Sequence, residues 1–215
     1  MTQPMKIDFV SDVSCPWCII GLRGLETALE RVGDLVAPEI HFQPFELNPA
    51  MPAGGQDMAE HLQEKYGSTP EQSAANGEMI RERAAGVGFD MVFRGDRRIY
   101  NTFDAHRLLH WAGIEGRQQE LKHALFTAYF TDGQDPGATD VLLAAAAKVG
   151  LDTDAAAAIL GSNTYAEEVR ETEREWQAKG ITSVPAVIVN DKYLISGGQP
   201  PEAFEQAIRS IAAES

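Results

Sequence analysis

Strand character in this chain is confined to its two ends, and that restricts the fold more than any other feature. Lys6-Ile7-Asp8-Phe9-Val10 reads as a short buried strand, apolar except for Lys6 and Asp8. Glu39 to Leu47 reads as a second strand. Ile40 and Phe42 lie on one side of it, His41, Gln43 and Phe45 on the other, and Pro44 marks an edge or a bulge. Near the other end, Val184 to Val189 and Tyr193 to Ser196 form a hairpin about Asn190-Asp191-Lys192. Residues 57–179 between them carry no convincing strand, only a short turn near Met91-Val92-Phe93. The order is β-α-β, a long helical block, then β-β-α. The two ends therefore build one small sheet, and the middle is an all-helical insertion.

The helices are well punctuated. Asp57 caps one that runs to Tyr66, and Thr69-Pro70-Glu71-Gln72 opens another to about Ala85, ended by Gly86-Val87-Gly88. Further helices are expected over Thr102 to Ala112, Gly116 to Phe130 and Asp140 to Val149, with a short one capped by Asp152 or Asp154. Tyr165 to Lys179 is charged outside, with Val169 and Trp176 as anchors, and Pro201 to Ala212 closes the chain. The expected division is 1–50 and 165–215 for the sheet-bearing unit and 51–164 for the insertion.

Both cysteines fall in one turn, Cys15-Pro16-Trp17-Cys18, after the first strand and before the helical run Leu22 to Arg31. On a first helical turn, residues i and i+3 share a face, so two sulfurs at this spacing can close a short disulfide or open to two thiols. The first would sit at the helix N-terminus, where unpaired N–H groups and the macrodipole stabilise a thiolate. Pro16 suits the first helical position, where a missing N–H costs nothing. Cys15 is thus the expected nucleophile and Cys18 the resolving thiol. Two other readings exist: inert core cysteines, and half of a zinc site completed by His106 and His110, spaced i, i+4. The strand before the pair and the proline inside it favour redox chemistry, and no metal is expected.

Composition narrows the partners. The chain has 215 residues with 44% apolar content, enough for a proper core, and a net charge of −14 from 32 acids and 18 bases. That excess of acid argues against nucleic acid and against anionic membrane surfaces. Two cysteines make no disulfide framework. The first residues show no long apolar segment followed by a small-residue cleavage site, so the expected location is the cytoplasm, where a lone Cys pair is catalytic more often than structural.

Pro185 opens the late strand, where a proline cannot donate to a ladder. A cis peptide there would turn the Val184 backbone toward a substrate beside the Cys pair, and an ordinary trans proline at a strand start fits the pattern equally well.

The Cys-Pro-Trp-Cys turn after a strand, together with Ser183 to Tyr193, resembles the DsbA family of thiol-disulfide oxidoreductases. Phe45-Glu46-Leu47-Asn48-Pro49, Asn101-Thr102-Phe103-Asp104-Ala105-His106 and Ser196-Gly197-Gly198-Gln199-Pro200 resemble its FrnE-like cytoplasmic branch. The likeness spans Ile7 to Ile211. It implies an α/β thioredoxin fold with a large all-helical insertion, Cys15 as attacking thiolate, Cys18 as resolving thiol and Pro185 as a cis-proline. Pro16, Trp17, Val184 and Pro185 would meet the substrate, a protein or small molecule bearing a thiol or disulfide. No cofactor is expected beyond glutathione as a redox partner. The dipeptide is Pro-Trp where DsbA proper has Pro-His, which points to a less oxidising couple. The second cysteine pair of some FrnE-like proteins is missing. The alternative is a glutathione-dependent transferase or isomerase of the kappa-class or 2-hydroxychromene-2-carboxylate isomerase type, which shares the architecture but has serine at the first redox position. His106, from the insertion, is a candidate thiolate or proton partner. Asp8 is the candidate acid for the Cys18 proton. Asn101 is the expected cap of the helix that carries His106.

Overall fold

Four strands from the two ends of the chain pair into one mixed sheet in the order β2-β1-β5-β6. The computed structural model describes residues 2–214. In chain order it contains β1 (Gln3–Ser11), α1 (Pro16–Arg31), β2 (Val36–Pro44), β3 (Gln56–Asp57), α2 (Met58–Tyr66), α3 (Pro70–Gly86) and β4 (Arg98–Ile99). There follow α4 (Phe103–Ile114), α5 (Gln118–Phe126) with a π-helical turn over Thr127–Thr131, α6 (Thr139–Lys148), α7 (Thr153–Leu160) and α8 (Ala166–Ala178). The chain returns to the sheet with β5 (Ala186–Val189), β6 (Tyr193–Ser196) and α9 (Pro201–Glu214). β1 pairs parallel with β2 and antiparallel with β5. A parallel pair needs a crossover, and α1 supplies it.

The alternation of β1 assigns its two faces. Met5, Ile7 and Phe9 join the core of α1 and α9, with both cysteines at its edge. Val10, on the other face, packs with Trp176 of α8, Ile181 and Ile188. A separate core made by α4, α5, α6 and α7 fills the insertion and takes in Val13 from the turn before the cysteines. Among the described residues, no helix is long and apolar enough to cross a membrane.

Caps and turns fall where the residue chemistry puts them. Asp57 accepts from the Ala59 and Glu60 amides, Thr69 and Gln72 close a capping box, and Asp152 rather than Asp154 caps α7. Asn190 and Asp191 take positive φ (51° and 55°), the twist a tight hairpin requires. Three expectations need correction. β2 runs from Val36 to Pro44 rather than from Glu39 to Leu47, so Pro38 lies inside it, which an edge strand tolerates because one row of its groups has no ladder partner. The helical block is not free of strand, since Gln56–Asp57 and Arg98–Ile99 form a two-residue antiparallel ladder. Residues 91–93 have no regular structure, although Met91 is buried.

Candidate active site

The redox turn sits where β1 ends and α1 begins. Cys15 is the N-cap of α1 in an extended conformation (φ −90°, ψ 115°), and Pro16 opens the helix. Cys15 is 4% exposed and Cys18 is fully buried, so only the first residue of the pair borders solvent. Both cysteines are free thiols. Burial drives the Cys18 thiol well above its ordinary pKa, and the neighbouring Cys15 adds to the rise. Cys18 thus stays protonated until something removes its proton.

The Val184–Pro185 peptide is cis, and the Val184 carbonyl accepts from the Cys15 thiol at 3.7 Å. Sequence pattern left cis and trans open; the structure has the isomer that faces the Val184 backbone to the cysteine. The Ser196–Pro200 loop lies on the same end of α1. A Cβ on Gly198 would stand 2.8 Å from the Trp17 carbonyl oxygen, and one on Gly24 would stand 2.7 Å from the Gln199 carbonyl oxygen. Backbone therefore packs on backbone here, which holds Trp17 against the loop. Glycine to alanine inside a helix normally stabilises by about 0.5–1 kcal/mol. At Gly24 the clash reverses the sign: Gly24→Ala is expected to destabilise by about 1–3 kcal/mol in urea denaturation, as overpacking does.

Two of the candidate partners lie elsewhere than expected. Asp8 alternates onto the α8 face of the sheet, away from the cysteines, where Gln43 Nε2 donates to it at 2.6 Å and Lys6 Nζ lies at 3.1 Å. It is buried as expected, but β-strand alternation puts it on the wrong face to take the Cys18 proton. His106, buried on α4, reaches the redox turn at Asp12, with Nε2 3.5 Å from Oδ1, rather than at a sulfur. Asn101 accepts from the Phe103 amide at 2.9 Å and so serves the start of α4. His110 packs against the Tyr165 ring at 5.0 Å.

Asp12 is the acid that sequence reasoning missed. It is 1% exposed, and its carboxylate accepts from the Leu47 amide at 2.8 Å and the Ser14 amide at 3.3 Å. Burial pushes its pKa up, but His106, the Leu47 amide and the Thr102 hydroxyl outweigh it and hold the carboxyl below its ordinary value. A depressed carboxyl contributes stability that is fully present above its unfolded pKa, near 4, and is lost as pH falls through the lower folded value. Asp12→Asn is therefore expected to cost about 2 kcal/mol at pH 7. The gap should narrow as urea curves are repeated toward pH 3; a constant gap would contradict it.

Two of the three stretches that resemble the FrnE-like branch meet behind this turn. Leu47, Thr102 and His106 surround Asp12. Glu46 and Glu173 share the Arg170 guanidinium, whose carbon lies 3.8 Å from the Phe103 ring centroid. Burial, then Glu173, raises the Glu46 pKa, while Arg170 opposes.

Lys122 of α5 is the second residue missed. Its side chain is 1% exposed, and its ammonium feels the charges of Cys18, Asp12 and Cys15; burial lowers its pKa to about 8. The signal in the sequence is its place in the apolar stripe, beside Leu121 and four residues before Phe126. Together with His106 it lines a groove of about 610 Å³ between β2 and the helices α4 and α5.

Comparison with known proteins places this arrangement. The DSBA-like thioredoxin domain family matches residues 6–209. The curated protein YwbO of Bacillus subtilis strain 168 is 29% identical over 209 residues, 97% of this chain and 96% of its own. A crystal structure described as a probable DsbA oxidoreductase, SCO1869 of Streptomyces coelicolor, superposes with a TM-score of 0.91 at 34% identity, covering 98% of this chain and 91% of that one. Two more distant structures share the fold. A 2-hydroxychromene-2-carboxylate isomerase has a TM-score of 0.71 at 18% identity, covering 97% of each chain. The cytosolic disulfide reductase DsbM of Pseudomonas aeruginosa, solved with GSH, has 0.63 at 15%, covering 95% of this chain and 98% of that one.

Proposed function

The chain belongs to the DSBA-like thioredoxin domain family, and from that premise we propose that it is a dithiol-disulfide oxidoreductase acting through Cys15 and Cys18. The observation that carries this reading is the asymmetry of the pair. Cys15 borders solvent at the end of a helix, beside the Val184 carbonyl of a cis-proline loop, and Cys18 is sealed beneath it. One thiol is placed to meet a substrate and the other to meet only its partner.

The Cys15 thiolate attacks one sulfur of a substrate disulfide, forms a mixed disulfide and releases the other substrate sulfur as a thiolate. The Cys18 thiolate then attacks the Cys15 sulfur, closes the Cys15–Cys18 disulfide and releases the second substrate thiolate. Substrate gains two electrons and the enzyme loses two; the reverse sequence oxidises a substrate dithiol. Pro16, Trp17, Val184 and Pro185 form the substrate contact, with Val184 offering backbone to an extended chain. The substrate class is a protein or small molecule with a thiol or disulfide, glutathione is a redox partner rather than a bound cofactor, and the branch is FrnE-like. The cytoplasm is the proposed location, a reading to which the cytosolic DsbM lends support through fold alone. The isomerase reading gains nothing beyond shared architecture, and Cys15 stands where the resemblance to that type implies serine.

The test is the redox equilibrium of the pair. Alkylation trapping across glutathione buffers with mass readout should show one reversible two-electron couple. A pair that never closes a disulfide would overturn the reading.

A further inference from the structure

Lys122 is a buried group that the scheme above does not use: the Phe126 ring it overlies shares a core cluster with Cys15 and Cys18, and its neighbours Leu121 and Leu125 pack with Val13 of the turn before them. Among the described residues, no carboxylate or carbonyl hydrogen-bonds its ammonium, and Nζ lies 5.3 Å from the Phe126 ring centroid. An ammonium in that position is costly, and a methionine would fill the same space without the penalty. Its surroundings give the lysine a purpose. The sulfurs of Cys18 and Cys15 and the Asp12 carboxylate act on it from the redox turn, and a groove runs from it to the edge of the molecule.

We propose that Lys122, carried by the insertion helix α5, accepts the Cys18 proton in the resolving step. The inference rests on the oxidoreductase reading. In the step, Cys18–SH and the neutral Lys122 amine become thiolate and ammonium. The thiolate attacks the Cys15 sulfur of the mixed disulfide, the enzyme disulfide forms, and the substrate leaves as a thiolate that takes its proton from water. The ammonium returns its proton to water in the groove.

The other titratable groups fit the role less well. Asp8 is on the opposite face of the sheet, occupied by Gln43 and Lys6. Asp12 is held ionised by three neighbours that a proton would displace, which makes it a weak acceptor and a good anchor for the ammonium that forms. His106 bears on Asp12 rather than on the sulfur. Facing the groove with Lys122 are Glu39 and His41 of β2, His110 of α4 and Glu120 of its own helix. A lysine whose pKa is lowered to about 8 has a useful neutral fraction near neutral pH and is still a stronger base than water.

The test separates the two chemical steps. Reduced protein is mixed with excess oxidised glutathione, quenched with an alkylating agent and read by mass, which follows the rise and the decay of the Cys15–glutathione mixed disulfide. In wild type the decay should accelerate with pH and level off near pH 8. In Lys122→Met it should be slower by about 100-fold at pH 7, the lower end of what a positioned proton acceptor contributes, and should keep climbing above pH 8. Lys122→Arg keeps a charge but accepts no proton, so it should also lack the levelling. Wild-type decay and levelling in both variants would overturn the proposal, whereas a wild type that forms no mixed disulfide would overturn the oxidoreductase reading itself.

Discussion

Cys15→Ser should abolish disulfide exchange, and Cys18→Ser should stop it at the mixed disulfide. The first loss is expected to be at least roughly 1000-fold, as when a covalent nucleophile is deleted. The two variants differ because the sulfurs are placed differently. Cys15 caps α1 at the solvent border, so substrate can reach it, and a hydroxyl there is too weak an acid to attack. Cys18 is fully buried, so an incoming disulfide reaches only its neighbour. Without Cys18 the Cys15–substrate disulfide has no internal thiol to resolve it, and it should accumulate as a covalent adduct of one substrate per chain. Mass spectrometry of alkylation-quenched samples reads both outcomes. Adduct on Cys18 in the Cys15→Ser variant would reverse the assignment of roles.

Arg107→Met should cost about 2–3 kcal/mol, a large share of the roughly 5–15 kcal/mol typical of a domain. Arg107 is 4% exposed on α4. Its guanidinium donates to the carbonyls of Ile159, Ser162 and Thr164, the last at 2.9 Å, and to Asp104 at 2.8 Å. Ile159 lies in the last turn of α7, whose carbonyls have no partner within the helix. One planar fork thus closes the end of α7 and ties the 161–165 loop to α4. Methionine fills the volume but takes the guanidinium from the Ser162 and Thr164 carbonyls and leaves the buried Ile159 carbonyl only its bonds from Ser162. Lysine reaches only part of the set and should recover less than half of the loss. Urea denaturation measures the cost. Hydrogen exchange should show protection lost first in α7 and residues 161–165. A loss below about 1 kcal/mol would mean that water replaces the guanidinium at these carbonyls.

Local chemistry was legible without a fold. The strand before the Cys pair, Pro16 at the first helical position, the Asp57 and Thr69 caps and the Asn190-Asp191 turn each depend on neighbours a few residues away. The same holds for the placement of the pair on the first turn of α1, since a C-x-x-C on a helix start carries its own geometry. The resemblance to the DsbA family rested on the same local stretches, and the family match bears it out. The expectation for Asp8 fell short for a different reason. Its burial follows from strand pattern, but which face it takes follows from how β1 sits between α1 and α8, helices more than 130 residues apart in the chain.

Sequence by itself determined the main helices, the split four-stranded sheet and the place of the two sulfurs, because helix caps, strand alternation and a four-residue redox turn are short-range physics. Tertiary structure alone decided what surrounds the buried thiol. Asp12 becomes a held anion only when Leu47 and His106 close on it, and Lys122 is buried only when α5 packs against Val13 in the turn before the cysteines. Such charges are set by desolvation and by neighbours distant in sequence, and neither exists until the chain has folded.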